Sequence, residues 1–377
     1  MGDPTIVREP QGAPAVAVEL IRARGGGVGR SSDDVAIEEP LEIRLNGWRW
    51  LVTMRTPGND ADLILGLLAS ETVITQASDV ENILFRRHPD EPELANVADV
   101  QLRQPLGDLQ ERLARNQTLA SSSCGLCGAS AVEAIRSRSA SVPPGPTIAA
   151  TAIASLPSKL HGAQLGFQAT GGLHAAALFD AAGGLLAARE DIGRHNATDK
   201  VLGWRLRNER AGNAAAMLLV SGRASFEIVQ KTLGAGIPLL AAVSAPSTLA
   251  VELARAGGMT LVGFLRGSSM NVYAGPDRVA DLELLGNGLA EPDSDTALAA
   301  AAVELIPRGM RSMLDAIALK ISLTDWQALS VGERTRLLAL VAEDGRDEFA
   351  RYLHDRTVAR TGHAPRPLRI RPEAPGS

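Results

Sequence analysis

AMLLVSGRASFEIVQKTLGAGIPLLAAVSAPSTLAVELARAGGMTLVGF, residues 216–264, carries the architecture of this 377-residue chain. Three apolar runs, Ala216–Val220, Leu239–Val243 and Leu261–Phe264, are separated by segments of helical spacing near 224–234 and 247–256. Short continuous apolar runs fit strands buried on both faces, and strands alternating with helices fit a mainly parallel sheet with helices on each side. Upstream, Leu185–Ala188 followed by a helical segment near 195–208 extends the pattern. The expected fold class is α/β, an α/β/α sandwich. Ligands of such sheets bind beyond the carboxyl ends of the strands. The loops at 189–196, 221–225, 244–247 and 264–269 therefore become the expected walls of a site.

Towards the N-terminus, Leu41, Ile43 and Leu45 alternate before Asn46-Gly47, and Trp48, Trp50 and Val52 alternate after it, which predicts a β-hairpin. Residues 60–74 follow helical spacing, with Asp60 and Asp62 in the first turn, where the helix dipole favours acids. Residues 1–36 are rich in Gly, Pro and Arg and read as a flexible leader. Their Gly25–Gly29 run is not followed by Lys-Ser/Thr and makes no phosphate loop. A helix is expected from about Ala129 to Arg138. Past an α/β domain at 37–282, a polar linker at 283–295 leads to a small all-α unit at 296–363. In that unit Ser330-Val331-Gly332-Glu333 reads as a capping box opening a helix through Val341. Residues 364–377, rich in Pro and Arg, read as a disordered tail.

Composition narrows the function classes. With 38 basic and 43 acidic residues the formal net charge is −5, so no global basic field recruits nucleic acid. An apolar content of 45% with 21% charged residues suits a packed core. No apolar run reaches the roughly 18–20 residues of a membrane span, and no apolar segment marks a signal peptide at the N-terminus. Only two cysteines are present, three positions apart, which suits a reducing compartment. The expectation is a soluble, cytoplasmic protein. Lys159, Lys200, Lys231 and Lys320 are the only lysines, so an anion site here would use guanidinium forks.

The densest chemistry lies in a few motifs. Cys124-Gly125-Leu126-Cys127 precedes the helix expected at 129, and a thiolate at a helix N-terminus is stabilised into the reactive range. Cys124 would be the exposed nucleophile, with Cys127 behind it. Three readings of the pair stay open: redox or sulfur chemistry, two zinc ligands needing partners such as His88 and His161, or inert thiols. His174, in Thr170-Gly171-Gly172-Leu173-His174-Ala175-Ala176, lacks the Glu two residues on that zinc base deaminases require, which argues against deamination. Arg189-Glu190-Asp191-Ile192-Gly193-Arg194-His195-Asn196 offers Arg189 and Arg194 to phosphates and acids to a purine amino group, or else forms an ion-paired loop. Ser221-Gly222-Arg223 ends one strand at a helix start, where backbone N–H groups favour anions. Phe264-Leu265-Arg266-Gly267-Ser268-Ser269 ends another. Four such loops on one sheet edge point to a large anionic ligand.

Taken together these motifs resemble the FdhD/NarQ family, accessory sulfurtransferases of formate dehydrogenase, over about residues 37–275. Ser123–Gly128, Thr170–Ala176, Arg189–Asn196, the loop from Ser221 through Ala224, Val243–Ser247 and Arg266-Gly267 followed by Asn271-Val272-Tyr273 carry the resemblance, in order. It implies a fold similar to cytidine deaminases without zinc, and a homodimer. It also implies that a cysteine desulfurase loads Cys124 with persulfide sulfur destined for molybdenum bis(molybdopterin guanine dinucleotide), with formate dehydrogenase or a related molybdoenzyme as client. Phe264 to Ser269 would contact that cofactor, together with His174, Arg189, Asp191, Arg194, His195, Ser221, Gly222 and Arg223. Ser268-Ser269-Met270 departs from the charged and aromatic residues usual there. A chaperone that only binds the cofactor and a dithiol oxidoreductase are the alternative readings. Residues from Ile306-Pro307 to Leu340, including Trp326-Gln327-Ala328-Leu329, are similar to small nitrate-reductase-associated proteins.

Overall fold

The computed structural model describes residues 3–10, 12–24, 27–87, 96–105, 107, 141–142, 145–208, 212–282, 310, 313–314, 316–317, 319–321, 323–342 and 346–367. Two compact units divide the chain, Met1–Leu285 and Gly286–Ser377. Among the described residues no helix is long and apolar enough to cross a membrane. The helix expected at 129–138, the linker at 283–295 and the Cys124/Cys127 pair lie outside the described residues.

Residues 1–36, expected as a leader, contain strands. β1 (Thr5–Val7) joins a sheet, and β2 (Ala15–Arg24) pairs with β3 (Gly27–Ala36) from Ala15↔Ala36 to Arg24↔Gly27. The Gly and Pro content hid the alternation of Val16, Val18 and Leu20 with Ala17 and Glu19, which a pleated ribbon can use. β4 (Glu39–Leu45) and β5 (Trp48–Arg55) form the expected hairpin, with φ of 47° at Asn46 and 84° at Gly47. Positive φ at both turn residues matches the strand twist and is what Asn-Gly supplies. α1 (Asp60–Ser70) follows, then β6 (Val80–Arg86) and β7 (Val97–Leu102), two strands the sequence reading does not include. The first sheet runs β1-β6-β7-β4-β5. α1 closes it by burying Leu63, Ile64, Leu65 and Leu68 with Leu41, Ile43, Leu45, Ile83, Phe85 and Val100.

The second sheet is the one residues 216–264 announce. β8 (Ile148–Ala149), α2 (Ala150–Ala163) and α3 (Leu165–Thr170) precede β9 (His174–Phe179) and β10 (Leu185–Asp191). Then come α4 (Arg194–Arg207), β11 (Met217–Val220), α5 (Phe226–Gly234), β12 (Leu239–Ala242), α6 (Thr248–Ala256), β13 (Thr260–Arg266) and β14 (Ser269–Ala274), with β15 (Val279–Ala280) pairing β8. The order is β10-β9-β11-β12-β13-β14, parallel through β11, β12 and β13 and antiparallel elsewhere. Strand side chains alternate between two cores. Leu178, Leu218, Val220, Leu240 and Leu261 meet α4, α5 and α6, whereas Ala177, Phe179, Met217, Leu219, Leu239 and Val262 meet Ile153, Leu156 and Leu160 of α2. Helices on both faces make the sandwich, and each fully buried aliphatic side chain contributes roughly 1.5–3 kcal/mol.

The two sheets of this unit are joined by α1 crossing α4. A Cβ built on Gly66 would lie 1.9 Å from the Asp199 carbonyl oxygen, and one on Gly203 would lie 1.8 Å from that of Asp62. Only two glycines allow backbones that close.

The C-terminal unit contains α7 (Leu323–Ala328), α8 (Val331–Ala342) and α9 (Arg346–Thr361) around Met310, Leu314, Trp326, Leu337, Leu340, Phe349 and Leu353. The capping box forms: the Ser330 N–H donates to Glu333 Oε2 at 2.7 Å and the Glu333 N–H to Ser330 Oγ at 3.3 Å. The helices are joined by β16 (Leu319–Lys320) pairing with β17 (Arg366–Pro367), inside the stretch expected as a disordered tail. Proline at an edge position gives up no ladder bond. Residues 368–377 lie outside the described residues.

Candidate functional site at the strand ends

Register decides which loops meet. Asp191 pairs with His174 and Val220 with Ala176, so the end of β10, the start of β9 and the end of β11 share one sheet edge. β12 and β13 run parallel to β11 and end on the same side. Loops 221–225 and 244–247 continue the parallel arrangement: Ala224 bridges Pro246, the Ser247 N–H donates to the Ala224 carbonyl, and Phe264 donates to Ser244. Three helix N-termini, of α4, α5 and α6, open at this edge. Ser225 and Ser247 cap α5 and α6 through their side chains, but Gly193 gives α4 no side-chain cap. Uncapped helical N–H groups with a positive dipole end favour anions.

Part of the polar cluster 189–196 is committed to the protein itself. Asp191 and Lys200 are both fully buried and paired at 2.8 Å. Asp191 also accepts from the Thr56 and Gly193 N–H groups and from Asn196, while Lys200 donates to the carbonyls of Thr56 and Glu190. Arg189 holds Asp62 of α1 at 2.8 Å, and Glu190 accepts from the Gly166 and Phe167 N–H groups at the start of α3. Arg189 and Asp191, expected to face a ligand, thus bind the two sheets together. The ion-paired loop describes them.

His174, Arg194, His195, Ser221, Gly222 and Arg223 do converge. A Cβ built on Gly222 would lie 3.7 Å from both Arg194 Cδ and His174 Nδ1, so this glycine sits between these two side chains. The Arg194 Nε is buried and, among the described residues, has no hydrogen-bond partner. Ser221 has a structural part, its hydroxyl accepting from the Ala175 N–H at 2.9 Å. Arg223 is exposed. His195 Nε2 lies 2.9 Å from Glu227 Oε2 and 3.4 Å from Ser225 Oγ. Burial, reinforced by the neighbouring Arg194 and His195, pushes His174 below the usual imidazole range. The bond with His195 leads the effects that hold Glu227 below the usual carboxylate range. Glu227 was missed by the sequence reading; the signal was an acid two residues past the Ser225 cap.

At 264–269 the chain is a hairpin rather than an open loop. β13 runs on to Arg266, Gly267 turns at φ 52°, and β14 starts at Ser269, with the register broken between Gly263 and Arg266. Phe264 sits at φ 51°, a conformation rare for an aromatic residue, and a Cβ on Gly263 would lie 2.9 Å from Pro246 Cδ and from the Tyr273 ring. Leu265 is fully buried in the α2-side core and leaves the binding set, whereas Arg266, Gly267, Ser268 and Ser269 are exposed at the edge.

Comparison with known proteins agrees with the motifs. The FdhD/NarQ family model matches residues 36–280, and the model of the conserved nitrate reductase-associated protein matches residues 297–376. Proteins named sulfur carrier protein FdhD from Nocardia farcinica and Streptomyces coelicolor are 50% and 49% identical. These matches span 69% and 72% of this chain and 93% and 97% of theirs. A crystal structure from Desulfotalea psychrophila, assigned as a formate dehydrogenase accessory protein, superposes with a TM-score of 0.56 at 25% identity. It covers 71% of this chain and is itself covered completely. With the motifs in order and the model matching well over half of its length, the chain belongs to the FdhD/NarQ family.

Proposed function

We propose that this chain is a sulfur carrier that passes persulfide sulfur to a guanine-dinucleotide molybdenum cofactor on its way to formate dehydrogenase or a related molybdoenzyme. Relatives carrying the sulfur-carrier name over almost their whole length support the role. The observation that carries the cofactor half is the Arg194 Nε, buried without a partner among the described residues at an uncapped helix N-terminus beside His174. Phosphates of a dinucleotide are the chemistry such a guanidinium and helix end accept.

In the loading step the Cys124 thiolate attacks the outer sulfur of a cysteine desulfurase persulfide. One S–S bond forms, one breaks, and the donor cysteine leaves as thiolate with no net redox change. For delivery, Cys127 attacks Cys124 Sγ, closes a disulfide and expels hydrosulfide towards the molybdenum; the two thiols supply the two electrons, and an external dithiol resets the pair. His174, Arg194, His195 and Arg223, with Arg266 and the Ser268-Ser269 turn, bind and orient the cofactor as substrate. The carrier acts as a homodimer in the cytoplasm, and the C-terminal unit docks on the molybdoenzyme or its chaperone.

Intact mass after incubation with a cysteine desulfurase and cysteine tests the reading. A gain of one sulfur atom, reversed by reductant and absent from Cys124→Ala, is expected. No gain in a folded protein would leave a cofactor-binding chaperone, which keeps its function in Cys124→Ser. Equal dependence on Cys124 and Cys127 for disulfide exchange, without sulfur gain, would make it a dithiol oxidoreductase.

A further inference from the structure

At the opposite end of the second sheet, where β12 and β13 begin, Arg255 and Arg278 line one cavity of about 470 Å³. Each guanidinium is fixed along one edge by backbone. Arg255 donates Nε and one Nη to the Tyr273 carbonyl at 3.2 and 3.1 Å. Arg278 Nη1 reaches the carbonyls of Gly258 and Pro238, at 3.2 and 3.4 Å, and Thr260 Oγ1 at 2.8 Å. The remaining donors, Arg255 Nη1 and Arg278 Nε and Nη2, have no partner among the described residues. Gly145 keeps one of them open, because a Cβ there would lie 3.5 Å from Arg278 Nε and 2.9 Å from the Pro238 ring. Among the described residues Asp277 is the one carboxylate in the wall, and it pairs with neither arginine.

We propose that this cradle binds the phosphate group of a small phosphorylated ligand, at a site separate from the strand-end site. Two guanidiniums held from behind lose little freedom on binding, and their free edges approach from different elements, α6 and the segment after β14. A tetrahedral phosphate can accept from both, whereas a planar carboxylate matches one fork. Among the described residues, two cations against one acid leave the wall with a net positive charge. The cavity has room for more than the phosphate alone. β13 spans the sheet from Thr260, beside the cradle, to Arg266 at the strand-end site. Seven residues put roughly 20 Å between the two sites, too far for one phosphate to serve both.

Calorimetric titration of the full chain carrying Arg194→Gln, which weakens the strand-end site, reads the cradle through its dependence on Arg255 and Asp277. Inorganic phosphate, adenosine monophosphate and acetate are the probes. Phosphate binding is expected to persist in this background and to weaken at least tenfold on adding Arg255→Gln. Asp277→Asn removes the repelling carboxylate from an exposed position and is expected to tighten binding several-fold, a gain that misfolding cannot produce. Tighter binding of the nucleotide assigns the cradle to a phosphomonoester, and equal binding assigns it to the free ion. Acetate binding as well as phosphate, indifference to Arg255→Gln, or an unchanged affinity in Asp277→Asn would overturn the site. None of these readouts depends on sulfur transfer.

Discussion

Lys200 Nζ lies 2.8 Å from Asp191 Oδ2 with neither side chain more than 1% exposed, and the pair ties α4 and β10 to the Thr56 backbone beyond the first sheet. Every charge in it is hydrogen-bonded, so the pair is tolerated in the interior. Removing one member leaves the other buried and uncompensated, a change that costs about 3–5 kcal/mol. Lys200→Met is therefore expected to lower unfolding free energy by about that amount in urea denaturation. The double variant Lys200→Met/Asp191→Asn should recover part of the loss, because it removes the stranded charge; a double variant worse than the sum of the two singles would contradict this account.

The α1–α4 crossing yields a steric prediction. A methyl group at Gly203 would sit 1.8 Å from the Asp62 carbonyl oxygen, and neither helix can yield without moving a sheet. Overpacking typically costs 1–3 kcal/mol, and a backbone contact this short should reach or exceed about 3 kcal/mol. Gly203→Ala is expected to melt well below the parent protein. Gly162→Ala, on open space late in α2, should be neutral or slightly stabilising by helix propensity. Equal melting of the two variants would show that the helices do not meet at Gly203.

His174 makes the protein acid-sensitive in a definite window. Its folded-state proton affinity is depressed by burial and by Arg194 and His195, so between its folded pKa and the ordinary value of 6.5 the unfolded chain binds more protons. Stability is then full above about pH 6.5 and falls as pH drops through 6.5 towards the folded value. His174→Gln should flatten that part of the curve, measured as unfolding free energy at pH 7.5 and pH 5.5. A steeper acid loss in the variant than in the parent would reverse the sign of the argument.

These residues also show what could be read before the structure. Strands β11, β12 and β13, the helices between them, the Asn46-Gly47 hairpin and the Ser330–Glu333 cap are local events, set by apolar runs, by φ preference and by a side chain three residues away. The committed fate of Arg189 depends on Asp62, 127 positions earlier in the chain, and no local pattern encodes that meeting. The ribbon at 15–36 was hidden for a different reason, since Gly and Pro content outweighed a short alternation. The edge carrying His174, Arg194 and Ser221-Gly222-Arg223 was legible because strand-end loops of a parallel sheet must converge whatever their side chains do. Leu265 was misjudged because the register break beside it turns its side chain into the core.

Arg194 separates a binding role from a structural one. Its carbonyl accepts from Thr198 Oγ1 at 3.0 Å, a helical contact that any residue at this position would keep, while its Nε has no hydrogen-bond partner to lose among the described residues. Arg194→Gln should therefore leave melting nearly unchanged and even relieve the cost of an unsatisfied buried donor. The same change should weaken binding of guanosine diphosphate, the probe for half of the cofactor, by tenfold or more, as expected for the loss of a charge-assisted bond. Arg194→Lys should recover the salt dependence of binding but only part of the affinity, because a point charge does not reproduce a planar fork. Calorimetry at two salt concentrations separates the cases: if Arg194→Gln binds the nucleotide as the parent does, the phosphates are held elsewhere, by Arg223 or Arg266 along the edge or, where the binding falls on adding Arg255→Gln, in the cradle at the far end of the sheet.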